Sequence, residues 1–407
     1  MTAQSEQRLA DVLARQVEEE RERAVRALLM RPLLAGGSAE LALVRRHAEH
    51  LRDWFQRETG WVLRVERECA RLYKRPATHE DSTRGQRGFE REHYVVLCLA
   101  CAVLERSDSQ ITLRSLGERL LDAANDVELA ARNFKFTFDN ARERRILVGV
   151  CRLLLELGVL TRVAGDEESF VTQVGDALYD IHRRVLAALP VSAKGASLIA
   201  ATQGDSVSLV ERLQILIEEQ VPDSPDARRT ASRHRIARRL LDDSVTYNDE
   251  LSDDERSYFA TQRGLMAARL AQAAGLVSEL RAEGVALVDP AAELSDELMP
   301  AVGTEAHATL LLAEHLAEAS RTDPDRIYSL HELAAFVRTA IDRYGRYWRK
   351  DAREPGAEDE LAELAVARMQ ALKLVKRVHG DGVQVLPALL RFAIELPLVV
   401  GSKEGNR

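Results

Sequence analysis

Four times along this chain of 407 residues a stretch of helical periodicity runs straight into a short segment of strict alternation, and this recurrence limits the fold more than any single motif does. In the first instance Leu41, Val44, Leu51, Trp54 and Phe55 keep helical spacing, and TGWVLRVERECARLYKR (59–75) then alternates apolar and charged residues. That period of two is the mark of a half-exposed β-hairpin. The second instance places Ile146, Val150, Leu153, Leu154 and Leu157 before GVLTRVAGDEESFVTQV (158–174), with a predicted turn at Gly165-Asp166. A third sets Leu265, Met266 and Leu270 before AGLVSELRAEGVALVDP (274–290), turning near Glu283-Gly284. The fourth sets Leu361, Leu364, Met369 and Leu372 before LKLVKRVHGDGVQVLPA (372–388), turning at Gly380-Asp381-Gly382.

Upstream of the last three hairpins lies a second shared signal, a β-tolerant residue followed by Ser or Thr and then Leu. The three are Ile111-Thr112-Leu113, Val207-Ser208-Leu209 and Tyr328-Ser329-Leu330. A hydroxyl there accepts from the free amides of a first helical turn, and Ser208 with Glu211 and Ser329 with Glu332 have capping-box spacing. A short strand, a capped helix, a longer helix and a two-stranded wing are the parts of a winged helix-turn-helix domain. The expected fold is mainly α with short β-hairpins (α+β), built as tandem winged-helix domains. The expected boundaries are 1–80 for an N-terminal helical region with a basic hairpin, then 81–190, 191–300 and 301–400 for winged helices, and 401–407 for a tail. Residues from Ser5 to Leu29 read as an exposed amphipathic helix stopped by Pro32 and Gly36-Gly37.

With 30% charged residues and only 5% aromatic ones, the composition is that of a helix-rich globular chain. A net charge of -8 argues against coating nucleic acid with the whole surface, so a DNA contact must be local. The four scattered cysteines form no disulfide framework, and no run of about 18 uncharged apolar residues or signal-peptide core is present, so the expected location is cytoplasmic and nucleoid-associated, with no membrane contact.

Five stretches carry more specific wording: Pro32-Leu33-Leu34, LVRRHAEHLRDWF (43–55), GWVLRVERECARLYKRP (60–76), FEREHYVVLCLACAVLER (89–106) and QITLRSL (110–116). Over residues 25–120 they resemble the KITE, or MukE-like, subunits of Wadjet-type SMC-like plasmid-defence complexes. That resemblance implies a tandem winged-helix subunit that forms a homodimer and binds a kleisin partner bridging an SMC-like ATPase. It also implies double-stranded DNA held by the assembled, loop-extruding complex, and cleavage by a separate TOPRIM-type nuclease subunit. It brings no catalytic residue and no cofactor.

The residues themselves point the same way. Cys98 and Cys101 form a CxxC pair, but they sit in an apolar helical stretch without a second pair, which reads as core. His47 and His50 lack a full ligand set, and no GxxxxGK[ST] loop exists. The acids Asp249, Glu250, Asp253, Asp254 and Glu255 precede a helix that Ser252 and Glu255 would cap, which is ordinary helix-start chemistry. Two basic groups suit phosphate: Arg64, Arg67, Arg71, Lys74 and Arg75 on the first hairpin, with Arg84, Arg87 and Arg91 following it, and Arg233, Arg235, Arg238 and Arg239 on one helix with Arg228, Arg229 and His234. The alternative is a sequence-reading transcriptional regulator, with Arg142, Arg144, Arg145 and Arg152 on a helix able to enter the major groove. A nuclease lacks a carboxylate and lysine constellation.

Overall fold

The structure, a computed structural model, describes residues 3–78, 85–131, 134–172, 174–191, 195, 198, 199, 201, 207–378 and 380–393. It is mainly helical with four small antiparallel sheets of three strands each.

Each sheet arises from the same run of elements. The first repeat holds α1 (Ala3–Met30), β1 (Leu33–Ala35), α2 (Ala39–Arg46), α3 (Ala48–Thr59), β2 (Val62–Val65) and β3 (Cys69–Tyr73). In the second are α4 (Arg91–Glu105), β4 (Gln110–Thr112), α5 (Leu113–Ala124), α6 (Val127–Ala131), α7 (Ala141–Glu156), β5 (Leu160–Gly165), α8 (Glu167–Val171), β6 (Ala177–Ile181) and α9 (Arg183–Ala187). After α10 (Leu209–Ile217), the third has α11 (Pro225–Asp242), β7 (Thr246–Tyr247), α12 (Asp253–Ala274), β8 (Val277–Leu280) and β9 (Gly284–Val288). The fourth has α13 (Thr304–Thr322), β10 (Ile327–Ser329), α14 (Leu330–Tyr344), α15 (Ala357–Ala371), β11 (Val375–Val378) and β12 (Gly382–Val385). In every sheet the short first strand pairs with the last, leaving the middle strand at the edge: β1-β3-β2, β4-β6-β5, β7-β9-β8 and β10-β12-β11.

The long helix of each repeat stops at a left-handed residue two positions before the hairpin opens. Gly60, Gly158 and Gly275 hold φ of 66°, 72° and 63°, and Lys373 holds 53° at the matching place. Glycine takes this conformation without a Cβ clash, so Lys373 carries strain that its three counterparts avoid.

The chain divides into two compact units, Met1–Ala237 with Ala273–Gly275, and Arg238–Gln272 with Leu276–Arg407. In the first unit, Leu33 and Cys69 from the first sheet join the second repeat's core of Val96, Leu104, Leu116, Leu147 and Leu154. Gly158 sits so close to Ala35 that an added Cβ would lie 2.7 Å from the alanine's own. In the second unit, Val245, Tyr247 and Ala286 beside or on the third sheet join the fourth repeat's core around Leu312, Leu316, Val337 and Val366. The same pairing of a sheet with the next repeat thus occurs once in each unit.

Three expectations change. The first region is not a bare helix and hairpin, because β1 completes a sheet: Leu33 lies opposite Arg71 and Ala35 opposite Cys69. In the second repeat Glu167–Val171 is helical and does not form the returning strand. Asp166 accepts from the Ser169 amide and starts α8, where Glu167 and Glu168 suit the positive helix end, and Ala177–Ile181 pairs instead. Val207 forms no strand either. Ser208 and Glu211 do make a capping box, but it starts α10, whereas Thr246 and Tyr247, 0% and 3% exposed, supply the short strand of the third sheet.

Candidate nucleic-acid and partner interfaces

On the first hairpin, Leu63, Ala70 and Leu72 are buried on the core side of the pleat. Arg64 and Arg71 face each other across the strands and flank the Tyr73 ring at 5.3 and 5.7 Å. Only part of the predicted basic set is open to a ligand. Arg71 donates to the Leu189 carbonyl at 3.2 Å, and burial lowers the pKa of its guanidinium. Lys74 lies 5.1 Å from the Trp61 ring centroid and donates to the Leu29 carbonyl, while Arg75 pairs with Glu219 at 3.3 Å. These three hold the fold together. Arg64, Arg67, Arg87 and Arg91 are exposed, and Arg84 lies outside the described residues.

The second basic group also changes. Arg238 is 1% exposed, and Arg239 is turned inward to Glu250 at 3.4 Å, so neither belongs to a solvent face. Arg233 donates to the Arg57 carbonyl, which His234 also contacts, and Arg235 is half-buried. Arg228 and Arg229 are exposed at the helix start, with Arg228 beside Asp223 at 3.5 Å. Ile236 and Leu240 of α11 are buried and Leu241 is half-buried, but this 18-residue helix crowded with arginine also buries Arg238.

The arginines that would read DNA sequence are bound within the second repeat. Arg142 pairs with Glu90 and Glu92 at 3.2 and 2.8 Å, Arg144 donates to the Phe138 and Val171 carbonyls, and Arg152 pairs with Glu168. Of the four, Arg145 is exposed without such a contact among the described residues.

In the second unit, Tyr247, Asn248, Glu250, Glu283, Lys373 and Lys376 line a cavity of about 550 Å³. Lys373 Nζ bridges Asp243 at 2.9 Å and Glu250 at 2.8 Å, and its carbonyl accepts from the Tyr247 hydroxyl at 2.8 Å. Burial raises the Asp243 carboxyl above its ordinary pKa, and the nearby Lys373 charge pulls it back. At Gly158, the matching position in the first unit, the neighbour is Ala35.

The remaining candidates are structural. Ser252 and Glu255 cap α12 reciprocally at 3.0 and 3.4 Å. His47 is bound to Glu20 at 2.8 Å, and no group of three or more His, Cys, Asp and Glu side chains among the described residues is placed to hold a metal. Cys101 is half-buried, its thiol pushed up to about 11 by burial, but Cys98 is exposed and not part of the core as its apolar neighbours implied. Among the described residues no helix is long and apolar enough to cross a membrane.

No curated protein and no solved structure matches this chain. A family model described as "Protein of unknown function (DUF2398)" matches residues 25–395, a span that takes in all four sheets. The chain therefore belongs to the DUF2398 family.

Proposed function

We propose that this protein is a non-catalytic, KITE-type assembly subunit of an SMC-like DNA-loop-extruding complex that restricts plasmid DNA. Its four repeats are winged helices in this reading. The observation that carries it is the fourfold use of one unit, a helix, a short strand, further helices and a hairpin that closes a three-stranded sheet. Such repetition yields partner-holding surfaces. The resemblance over residues 25–120 names the partners: a kleisin, an SMC-like ATPase, a second copy of the chain and a TOPRIM-type nuclease.

The first sheet would meet the DNA backbone through Arg64 and Arg67. Arg71 and Lys74 would keep that hairpin in place, since each donates to a backbone carbonyl of its own chain. The regulator reading gains no such support, because Arg142, Arg144 and Arg152 are held by their own chain.

Co-expression with a kleisin and an SMC-like ATPase encoded beside it, followed by native mass measurement, tests the assembly. A stable complex containing all three chains is expected. Recovery of this chain alone, bound to one operator sequence, would overturn the reading. Within the complex, Arg64→Glu with Arg67→Glu should reduce DNA retention at low salt and leave the measured mass unchanged.

A further inference from the structure

The fourth repeat carries a basic surface interleaved with tyrosine, RYGRYWRK (343–350), at the junction that follows α14. Its buried residues fix the backbone. Gly345 is buried, Trp348 is 6% exposed with its indole N–H donated to His307 Nδ1 at 3.0 Å, and Ala352 is 1% exposed. Gly345 is closely packed, since an added Cβ would stand 3.2 Å from the Arg353 stem and 3.4 Å from Ile341.

Around these anchors most of the side chains that point outward are cationic or aromatic, the exposed acids Asp342 and Asp351 excepted. Arg343, Arg346 and Lys350 are exposed, and Tyr347 is 70% exposed. Arg346 lies over the Tyr347 ring at 4.5 Å and Arg343 over the Tyr344 ring at 5.1 Å. Among the described residues none of these three cations has a carboxylate partner. Arg349, between them, does: Glu305 at 2.7 Å, Asp351 at 3.0 Å and Glu360 at 3.8 Å hold it as a buttress. On a chain of net charge -8, where many of the predicted basic residues are held by internal contacts, this is a surface with three exposed cations that form no ion pair among the described residues.

We infer that Arg343, Arg346, Tyr347 and Lys350 form a contact surface for the sugar-phosphate backbone of duplex DNA. Guanidinium groups held against aromatic rings lose little freedom when they meet phosphate, and the exposed ring offers a flat surface to a sugar or groove edge. Fixed anchors at 345, 348 and 352 give the cations a set spacing, which suits a regular row of phosphates better than a flexible acidic peptide. The inference deepens the proposed DNA role by placing a contact on the fourth repeat.

The test is fluorescence anisotropy of the purified full chain with a labelled duplex of arbitrary sequence at 50 and 200 mM salt. The three phosphate contacts of this surface contribute about 40-fold to the affinity lost across that range, beside what Arg64 and Arg67 add. Arg343→Glu/Arg346→Glu/Lys350→Glu should weaken binding at least about 30-fold at low salt and flatten the salt slope by roughly 3. Arg346→Gln/Lys350→Gln, a milder change with circular dichroism as a fold check, should flatten it by roughly 2. Polyglutamate at equal charge should not displace the duplex. Binding by the reversal variant within twofold of the parent, or displacement by polyglutamate as effective as by unlabelled DNA, overturns the inference. Assembly with the ATPase and kleisin is read separately by mass, so a failed complex counts against the assembly reading and a failed DNA titration against this surface.

Discussion

Lys373 shows how one residue can break a repeat's rule and be retained by its contacts. Its left-handed backbone costs on the order of 1 kcal/mol beside the glycines at the matching positions. Against this stand two ion pairs and a carbonyl that accepts from Tyr247. Asp243 is an acid whose pKa is raised on folding, so it favours the fold below its unfolded value and loses that contribution as pH rises through the folded one. Lys373 offsets this loss at neutral pH. In Lys373→Met the buried carboxylate loses its partner, and the variant should be about 1–3 kcal/mol less stable at pH 7. The gap should narrow as acid protonates Asp243. Urea midpoints at pH 7 and in the acid range measure this, and a gap independent of pH would remove Asp243 from the explanation. Lys373→Gly should lose less than Lys373→Met, by roughly 1 kcal/mol, because it also relieves the backbone.

At the scale of elements, capping chemistry and alternation were readable wherever they acted alone. Ser329 with Glu332 opens α14 as its spacing predicted, and three of the four hairpins fall where the alternation placed them. The second hairpin was misread because α8 is inserted between its strands, so the clean alternation of ALYDI at 177–181 stood apart from its partner. Thr246-Tyr247 is too short to show any period, and only its pairing with β9 identifies it. The basic groups were legible as charge but not as contacts. Nothing in the spacing of Arg71 or Arg238 says that one reaches the Leu189 carbonyl and the other is buried, because both depend on packing from distant sequence. The Arg and Tyr interleaving of 343–350 is visible in the sequence, but nothing in its spacing says that Gly345, Trp348 and Ala352 are buried beneath it. Capping can be tested by contrast. Ser329→Ala should lower stability by about 1 kcal/mol, because α14 carries the buried Leu333, Val337 and Ile341. Ser208→Ala removes the same kind of cap from α10, which buries none of its residues, so its cost should appear as faster amide exchange in 209–217 with the unfolding midpoint nearly unchanged. Equal shifts in the two midpoints would mean that α10 is packed more firmly than its exposure indicates.

Within each unit, two repeats are joined through the sheet of the first entering the core of the second, and the first unit contains natural probes of that joint. Cys69 belongs to the first sheet but is buried at 2% exposure among second-repeat residues, whereas Cys151 lies wholly within the second repeat. Burial raises the pKa of both thiols, so each should react with an aromatic disulfide reagent at pH 8 only through opening of the structure. Cys98, exposed on α4, should react at once and serve as the internal standard. Val96→Ala opens a gap in the second-repeat core at a residue 1% exposed, at a cost of about 1–3 kcal/mol. If the two repeats form one cooperative block, that substitution must speed labelling of Cys69 and Cys151 by the same factor, although residue 69 lies in a different repeat from the altered side chain. Peptide mapping after timed quench reads both rates in one sample. Acceleration at Cys151 alone would show that the first sheet keeps its burial when the second repeat loosens, and the pairing of repeats would then be a contact without cooperativity.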